Sequence, residues 1–175
     1  MTGINGAGRI YQINISHGGV PKLPIAEGED GWLGTLGIAG DWHRDQRNHG
    51  GPERALCLYT LEQIERLQAE GHPIYPGSAG ENITLQGVPQ ARLVPGVRMR
   101  LGEAVEIELT HYTTPCKNIT DSFSDGDFTR ISQKTHPGES RIYARVLRGG
   151  TIRAGEPVVV LTEAPGGGEG TGSDE

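Results

Sequence analysis

From residue 104 to residue 110 apolar and polar side chains alternate strictly. Val105, Ile107 and Leu109 share one face, and Glu106, Glu108 and Thr110 share the other, the two-residue period of a half-buried strand. Continuing the parity puts His111 on the inward side at the strand end, before Pro115 removes a backbone donor. Just upstream, Val97, Met99 and Leu101 alternate with Arg98 and Arg100, and Gly102-Glu103 joins the two runs as a hairpin. Residues 55–59 predict a strand apolar on both faces, Leu56 and Leu58 opposing Ala55, Cys57 and Tyr59, so Cys57 reads as core. Thr60-Leu61-Glu62-Gln63 is a capping-box start, and Leu61, Ile64 and Leu67, with Gly71 after the last turn, predict one amphipathic helix.

The rest of the chain is less periodic. Tyr11, Ile13 and Ile15 alternate with Gln12 and Asn14 as a first strand ended by Ser16-His17-Gly18-Gly19. Residues 20–29, with Pro21 and Pro24, predict an irregular connection. A glycine-rich turn over residues 76–82 leads into Ile83-Thr84-Leu85. Between residues 118 and 134, Ile119, Phe123, Phe128 and Ile131 are spaced as short helices broken at Ser124-Asp125-Gly126. Residues 141–147 form another strand, Arg148-Gly149-Gly150 a turn, and residues 152–161 the last pairing.

Composition sharpens this to one β-rich domain. Glycine makes up 28 of the 175 residues, with 11 prolines; that is about twice the ~7 % average for glycine and implies many turns between short strands. The expected organisation is a loose leader over residues 1–8, a single domain over residues 9–161 and a disordered Gly/Glu-rich tail over residues 162–175. A net charge of −6 argues against wrapping nucleic acid or an anionic membrane. No apolar run approaches a membrane span, and the first residues lack the basic and apolar regions of a signal peptide, so the expected location is the cytoplasm. Two cysteines, Cys57 and Cys116, are too few for a disulfide framework or an iron–sulfur cluster. Electrons for any redox step must arrive from another molecule.

Two stretches carry candidate chemistry. In Thr113-Thr114-Pro115-Cys116-Lys117 the cysteine sits where the strand gives way to a loop or helix, with an ammonium beside it in sequence. Such a neighbour favours the thiolate, which attacks electrophiles and ligates soft metals. The loop from Gly40 to Arg54 packs polar, charged and aromatic residues without period. Its His49-Gly50-Gly51 could bring backbone N–H groups to an oxyanion, and Arg54 could fork to a phosphate. Glu81 and Asn82 either read a heterocycle or brace their turn. There is no Walker-type loop and no dinucleotide fingerprint. A composite zinc site from His43, His49, His111 and Cys116 is not demanded by the spacing, and a cysteine protease using His111 as base would leave the glycine-rich anion sites idle.

Taken in order, Gly40-Asp41, His49-Gly50-Gly51-Pro52-Glu53-Arg54-Ala55, Gly80-Glu81-Asn82-Ile83-Thr84, Pro95-Gly96 through Leu101-Gly102, Thr114-Pro115-Cys116-Lys117 and Arg141-Ile142-Tyr143-Ala144-Arg145-Val146 resemble the MOSC family, the molybdenum cofactor sulfurase C-terminal domain. The resemblance runs from about residue 10 to residue 161. It implies a β-rich fold around a small distorted barrel, with a pterin-based molybdenum cofactor (molybdopterin form) in its groove. By this likeness Cys116 is the catalytic residue and the molybdenum ligand, and His49, Gly50, Gly51, Arg54, Glu81, Asn82, Thr114, Lys117 and Arg141 bind the cofactor. Some relatives carry an extra N-terminal barrel-type module or a C-terminal helical extension, neither of which is expected here, and where relatives often read Gly-Asp this sequence reads Gly155-Glu156-Pro157. The resemblance implies an oxidoreductase that reduces N-hydroxylated compounds with electrons from a separate flavin or iron–sulfur protein. The alternatives are a sulfur carrier loading a Cys116 persulfide from a pyridoxal-phosphate-dependent cysteine desulfurase, and a non-catalytic cofactor carrier. Substrate, electron donor and oligomeric state are not encoded in any motif.

Overall fold

In the computed structural model the described residues are 8–42 and 50–162. The expected leader up to residue 7, the tail beyond residue 162 and the loop residues 43–49, including His43 and His49, lie outside them. Strand β1 (Gly8–Ile15) begins at the last residue assigned to the leader, and β11 (Pro157–Thr162) runs to the first residue assigned to the tail.

The hairpin read from the sequence is present as β7 (Arg98–Leu101) and β8 (Val105–Tyr112), antiparallel with Met99 opposite Ile107. Strand β9 (Ile142–Arg148) pairs with β8, and β5 (Leu56–Thr60) pairs with β9. Strand β6 (Ile83–Gln86) runs parallel to β5. A parallel pair needs a crossover, and helix α1 (Leu61–Ala69) begins it immediately after β5. The order β11-β7-β8-β9-β5-β6-β1 closes through the antiparallel β11–β1 pair, giving a seven-stranded barrel. Closure leaves these strands no open edge. Strand β2 (Leu23–Pro24) extends from β1. A separate three-stranded sheet holds β3 (Gly31–Gly34), β4 (Gly37–Ile38) and β10 (Gly150–Ile152).

Side-chain parity divides the interior into two cores. Leu56 and Leu58 of β5, Ile142 and Ala144 of β9, and Val105, Ile107 and Leu109 of β8 point into the barrel. Tyr59 points the other way, into a second cluster with Ile64 and Leu67 of α1, Ile119, Phe123 and Ile131. Ile119 belongs to a 3₁₀ stretch (Lys117–Ser122) and Ile131 to another (Phe128–Ile131), so the expected short helices exist but are 3₁₀ rather than α.

Two parity readings change. A bulge between Ile10 and Gln12 makes Tyr11 the extra residue of β1, so Ile10 and Ile13 are buried and Tyr11 is exposed, the reverse of the simple alternation expected for Tyr11. In β8 the register shifts between Leu109 and Tyr112, where two residues oppose Tyr143 alone. His111 is therefore half-buried beside the Tyr143 ring rather than inside the barrel.

Half of the expected capping box forms: the Gln63 side chain meets no partner among the described residues, and Thr60 N donates instead to Gln90 Oε1 at 3.2 Å. Thr60 Oγ1 accepts from Gln63 N at 3.2 Å and donates to Gln90 Oε1 at 2.8 Å. Thr60→Ala is expected to cost about 1 kcal/mol, read as a shift of the urea midpoint at unchanged slope.

Candidate functional site

The alternation that sends Leu56, Leu58, Ile142 and Ala144 inward sends Cys57, Arg141 and Tyr143 outward, with Cys57 directly opposite Tyr143 across the β5–β9 pair. These outward side chains form the floor of a cavity of about 370 Å³, within the range of small-molecule sites. Its walls come from Ser16, Gly18, Gly19 and Lys22 after β1, Trp42, Ala79, Gly80 and Asn82 before β6, and Thr114, Cys116 and Asn118 after β8.

The wall is built from the backbone up. Lys22 N donates to Gly77 O at 2.9 Å, locking the segment after β1 onto the glycine-rich turn. Gly77 has φ +91°, and a Cβ there would collide with the Lys22 carbonyl, so glycine is required for this approach. Gly80, at φ +88°, lies in the cavity wall, where a Cβ would meet Val20 Cγ1 at 3.0 Å.

Asp41 is the hub behind this wall. Its Oδ1 accepts from Ser16 N at 2.7 Å, and its Oδ2 accepts from Lys22 Nζ at 2.9 Å and Asn82 Nδ2 at 2.8 Å. Asn82 Oδ1 accepts from Cys57 N at 3.0 Å, and its Nδ2 also donates to Asn14 O at 3.3 Å. Asn82 thus lines the cavity with both amide protons committed to the fold, and bracing is its main role.

Three basic side chains line the cavity, Lys22, Arg54 and Arg141, and no carboxylate does so among the described residues. Arg141 is buried; its Nη1 donates to Ala79 O, while its Nε meets no partner among the described residues. A buried, unsatisfied guanidinium donor is costly and suits an anionic ligand. Arg54 Nε donates to His111 Nε2 at 3.2 Å, and its guanidinium stands 5.7 Å from the Tyr143 ring centre. Burial, then the Arg54 charge, hold His111 below the usual histidine range, with Glu53 opposing.

Cys116 is half-buried at the N-cap of the Lys117–Ser122 stretch, in extended backbone, and lines the cavity. The strand-to-helix junction expected for it is present. Cys57 also reaches the cavity wall, which the sequence reading of a core residue did not anticipate, but burial pushes its thiol up to about 11 against the Arg141 and Lys22 charges. It stays protonated near neutral pH and is a poor nucleophile.

Of the residues proposed from sequence, Arg54, Asn82, Thr114, Cys116 and Arg141 meet around one cavity. Gly50, Gly51, Glu81 and Lys117 are not among its lining residues. Lys117 is exposed, Gly51 caps the short turn Pro52–Arg54, and His49 lies outside the described residues. No group of three metal-ligating His, Cys, Asp or Glu side chains occurs among the described residues; the composite zinc site also needs His43 and His49, which lie outside them. Lys22, Tyr143 and Trp42 were not singled out as site residues. For Tyr143 the signal was available, because it shares the parity of Arg141 on a recognisable strand.

Glu81 is wholly buried behind this wall, its Oε2 accepting from Thr84 Oγ1 at 3.2 Å. Burial raises it from 4.5 to about 7, opposed by backbone donors of Gly77 and Glu81, the Thr84 hydroxyl and the Arg141 charge. The fold therefore holds this proton more tightly than the unfolded chain does. Its contribution to stability is fully present below the unfolded value and is lost as pH rises through about 7. The loss is roughly 3 kcal/mol. Glu81→Gln should flatten the melting temperature against pH between about 5 and 8, and an unchanged slope would place the titration elsewhere.

Among the described residues no helix is long and apolar enough to cross a membrane. The chain is 30 % identical over 129 residues to the uncharacterized protein YflK of Bacillus subtilis, covering 73 % of this chain and 57 % of that protein. It is 29 % identical over 134 residues to the protein YiiM of Escherichia coli, covering 74 % of this chain and 58 % of that one. The chain thus spans less than three-fifths of the length of these curated relatives. The crystal structure of YiiM from Geobacillus stearothermophilus superposes with a TM-score of 0.70 at 25 % identity, covering 89 % of this chain and 75 % of that one. The profile of the MOSC domain matches residues 45–159. With the barrel expected for that domain in place, the chain belongs to the MOSC domain family.

Proposed function

We propose that the cavity over β5 and β9 binds a pterin-based molybdenum cofactor, and that the protein is an oxidoreductase acting on N-hydroxylated compounds with Cys116 as the thiolate ligand. The observation that carries this reading is the donor set. Three cations surround a cavity of about 370 Å³ that also carries one half-buried cysteine, and one of them, Arg141, has an Nε without a partner among the described residues. A dianionic phosphate needs charge-assisted donors, and planar guanidinium forks meet its oxygens in pairs. A thiolate is the soft ligand that suits a heavy transition metal. The residues therefore fit the group.

When bound, the cofactor supplies the two-electron redox chemistry that the side chains cannot. The protein's own part is positioning. Arg54 and Arg141 hold the phosphate, and Lys22 adds charge while pinned by Asp41. Tyr143 and Trp42 supply flat apolar surface, and Cys116, in the segment after β8, would hold the metal. Trp42, which lines the cavity, is 51 % exposed, and substrate and a separate flavin or iron–sulfur electron donor would have to reach the cofactor from outside.

A second reading rests on the partial exposure of Cys116: a persulfide on its sulfur, loaded by a pyridoxal-phosphate-dependent desulfurase, would be reachable from outside. The two are separated by one pair of assays. Cofactor-loaded protein should reduce a benzamidoxime or hydroxylamine when supplied with a reduced viologen. Metal-free protein treated with desulfurase and cysteine should gain no sulfur on Cys116 by mass spectrometry. Stoichiometric sulfur on Cys116 with no reductase activity would replace the first reading by the second.

A further inference from the structure

We propose that His111 is a positioning residue for Arg54, its unprotonated Nε2 helping to fix the guanidinium in the cavity wall so that protonation of the imidazole weakens the anion subsite. This rests on the reading of the cavity as an anion-binding cofactor site and names a control on that site.

The geometry has three parts. Arg54 Nε donates to His111 Nε2 at 3.2 Å, which requires that nitrogen to carry no proton and places the ring's proton on Nδ1. The His111 ring lies 5.2 Å from the Tyr143 ring at an interplanar angle of 50°, and the Arg54 guanidinium stands over the same Tyr143 ring. Arginine and histidine are thus held to each other and to one tyrosine of the cavity floor. The β8 register shift opposite Tyr143 is the local feature that brings His111 there.

Protonating His111 puts a second N–H where Arg54 Nε now donates, and a second positive charge beside the guanidinium. Both effects drive Arg54 off the wall. Among the described residues, the charged and titratable groups facing His111 are Arg54 and Glu53 of the turn Pro52–Arg54 and Tyr143 of β9, with Arg145 of β9 engaged by Glu53 at 3.4 Å. Glu53 is the group that favours the imidazolium, and it is partly neutralised by Arg145. An anion site ordinarily strengthens as a protein is acidified and gains positive charge. Here the affinity should instead fall once His111 protonates.

The test uses the full chain produced without cofactor, with sulfate as probe because its charge is constant across the range. Affinity is measured by calorimetry from about pH 8 to about pH 5 at fixed ionic strength. All measurements are made in the Glu81→Gln background, since Glu81 titrates near Arg141. With His111 intact, affinity should hold near neutral pH and fall about tenfold on the acid side. The fall should track the His111 ring resonance by NMR. His111→Gln, which offers a neutral carbonyl acceptor at every pH, should keep the neutral-pH affinity and lose the acid fall. His111→Phe, which keeps a ring against Tyr143 without an acceptor, should bind about tenfold more weakly throughout. Persistence of the acid fall in His111→Gln overturns the assignment, as does full affinity in His111→Phe. Arg54→Ala with unaltered sulfate affinity would instead show that the anion subsite itself is misplaced, and the role of His111 with it.

Discussion

Asp41→Ala is expected to destabilise the fold by roughly 3–5 kcal/mol, the cost of leaving a buried charge without its partner. The Asp41 and Lys22 side chains are 1 % and 7 % exposed, so water is a poor replacement for the lost carboxylate even though Lys22 lines the cavity. Ser16 N and Asn82 Nδ2 lose an acceptor at the same time. Asp41→Asn should cost less, because its carbonyl still accepts from Ser16 N. Lys22→Met combined with Asp41→Asn should recover much of the loss by removing both charges. Urea unfolding of the four proteins gives the comparison. A cost near 1 kcal/mol for Asp41→Ala would mean that the pair is solvated in practice and the wall less tightly built than its distances imply.

The second large effect concerns Cys116. Cys116→Ser replaces a soft thiolate with a hard, mostly protonated hydroxyl. Losing even an outer partner of a metal ligand costs about 10–100-fold in affinity or activity, so losing the ligand itself should lower reductase turnover by at least about 100-fold. The phosphate contacts of Arg54 and Arg141 remain, and pterin should stay bound. Stability should change little, because Cys116 is half-buried at the edge of the fold. Cys57→Ser is the control: its thiol, pushed up to about 11, is not a competing nucleophile, and the substitution should carry a packing cost without altering metal content.

Much of the scaffold was legible because it follows local rules. The β7–β8 hairpin, the α1 cap at Thr60 and the doubly buried β5 each announce themselves within ten residues. The small sheet of β3, β4 and β10 was not seen, since strands of four residues or fewer containing several glycines carry no readable period. The bulges in β1 and β8 were hidden for a related reason: an inserted residue reverses the parity after it, and nothing in Tyr11 or His111 marks the insertion.

The site was half legible. Cys116 and Arg54 stand out as a reactive and an ionic residue near turns, whereas Arg141 entered the site only through the family resemblance. Lys22 sits in a proline-containing connection without period, and its importance appears only when Asp41, 19 positions away, closes onto it. Cys57 was assigned to the core because its strand is apolar on both faces, which was right about its burial. Pairing with Tyr143 then placed it in the floor of the cavity.

The central claim is that this cavity holds the molybdenum cofactor. The most direct measurement is molybdenum and pterin per chain in protein purified from a host competent in molybdenum cofactor synthesis, with Arg141→Ala alongside. The account predicts near one molybdenum and one pterin per chain in the wild-type protein and a marked loss of both in Arg141→Ala. Wild-type protein that is folded, monodisperse and free of molybdenum and pterin from such a host would contradict it.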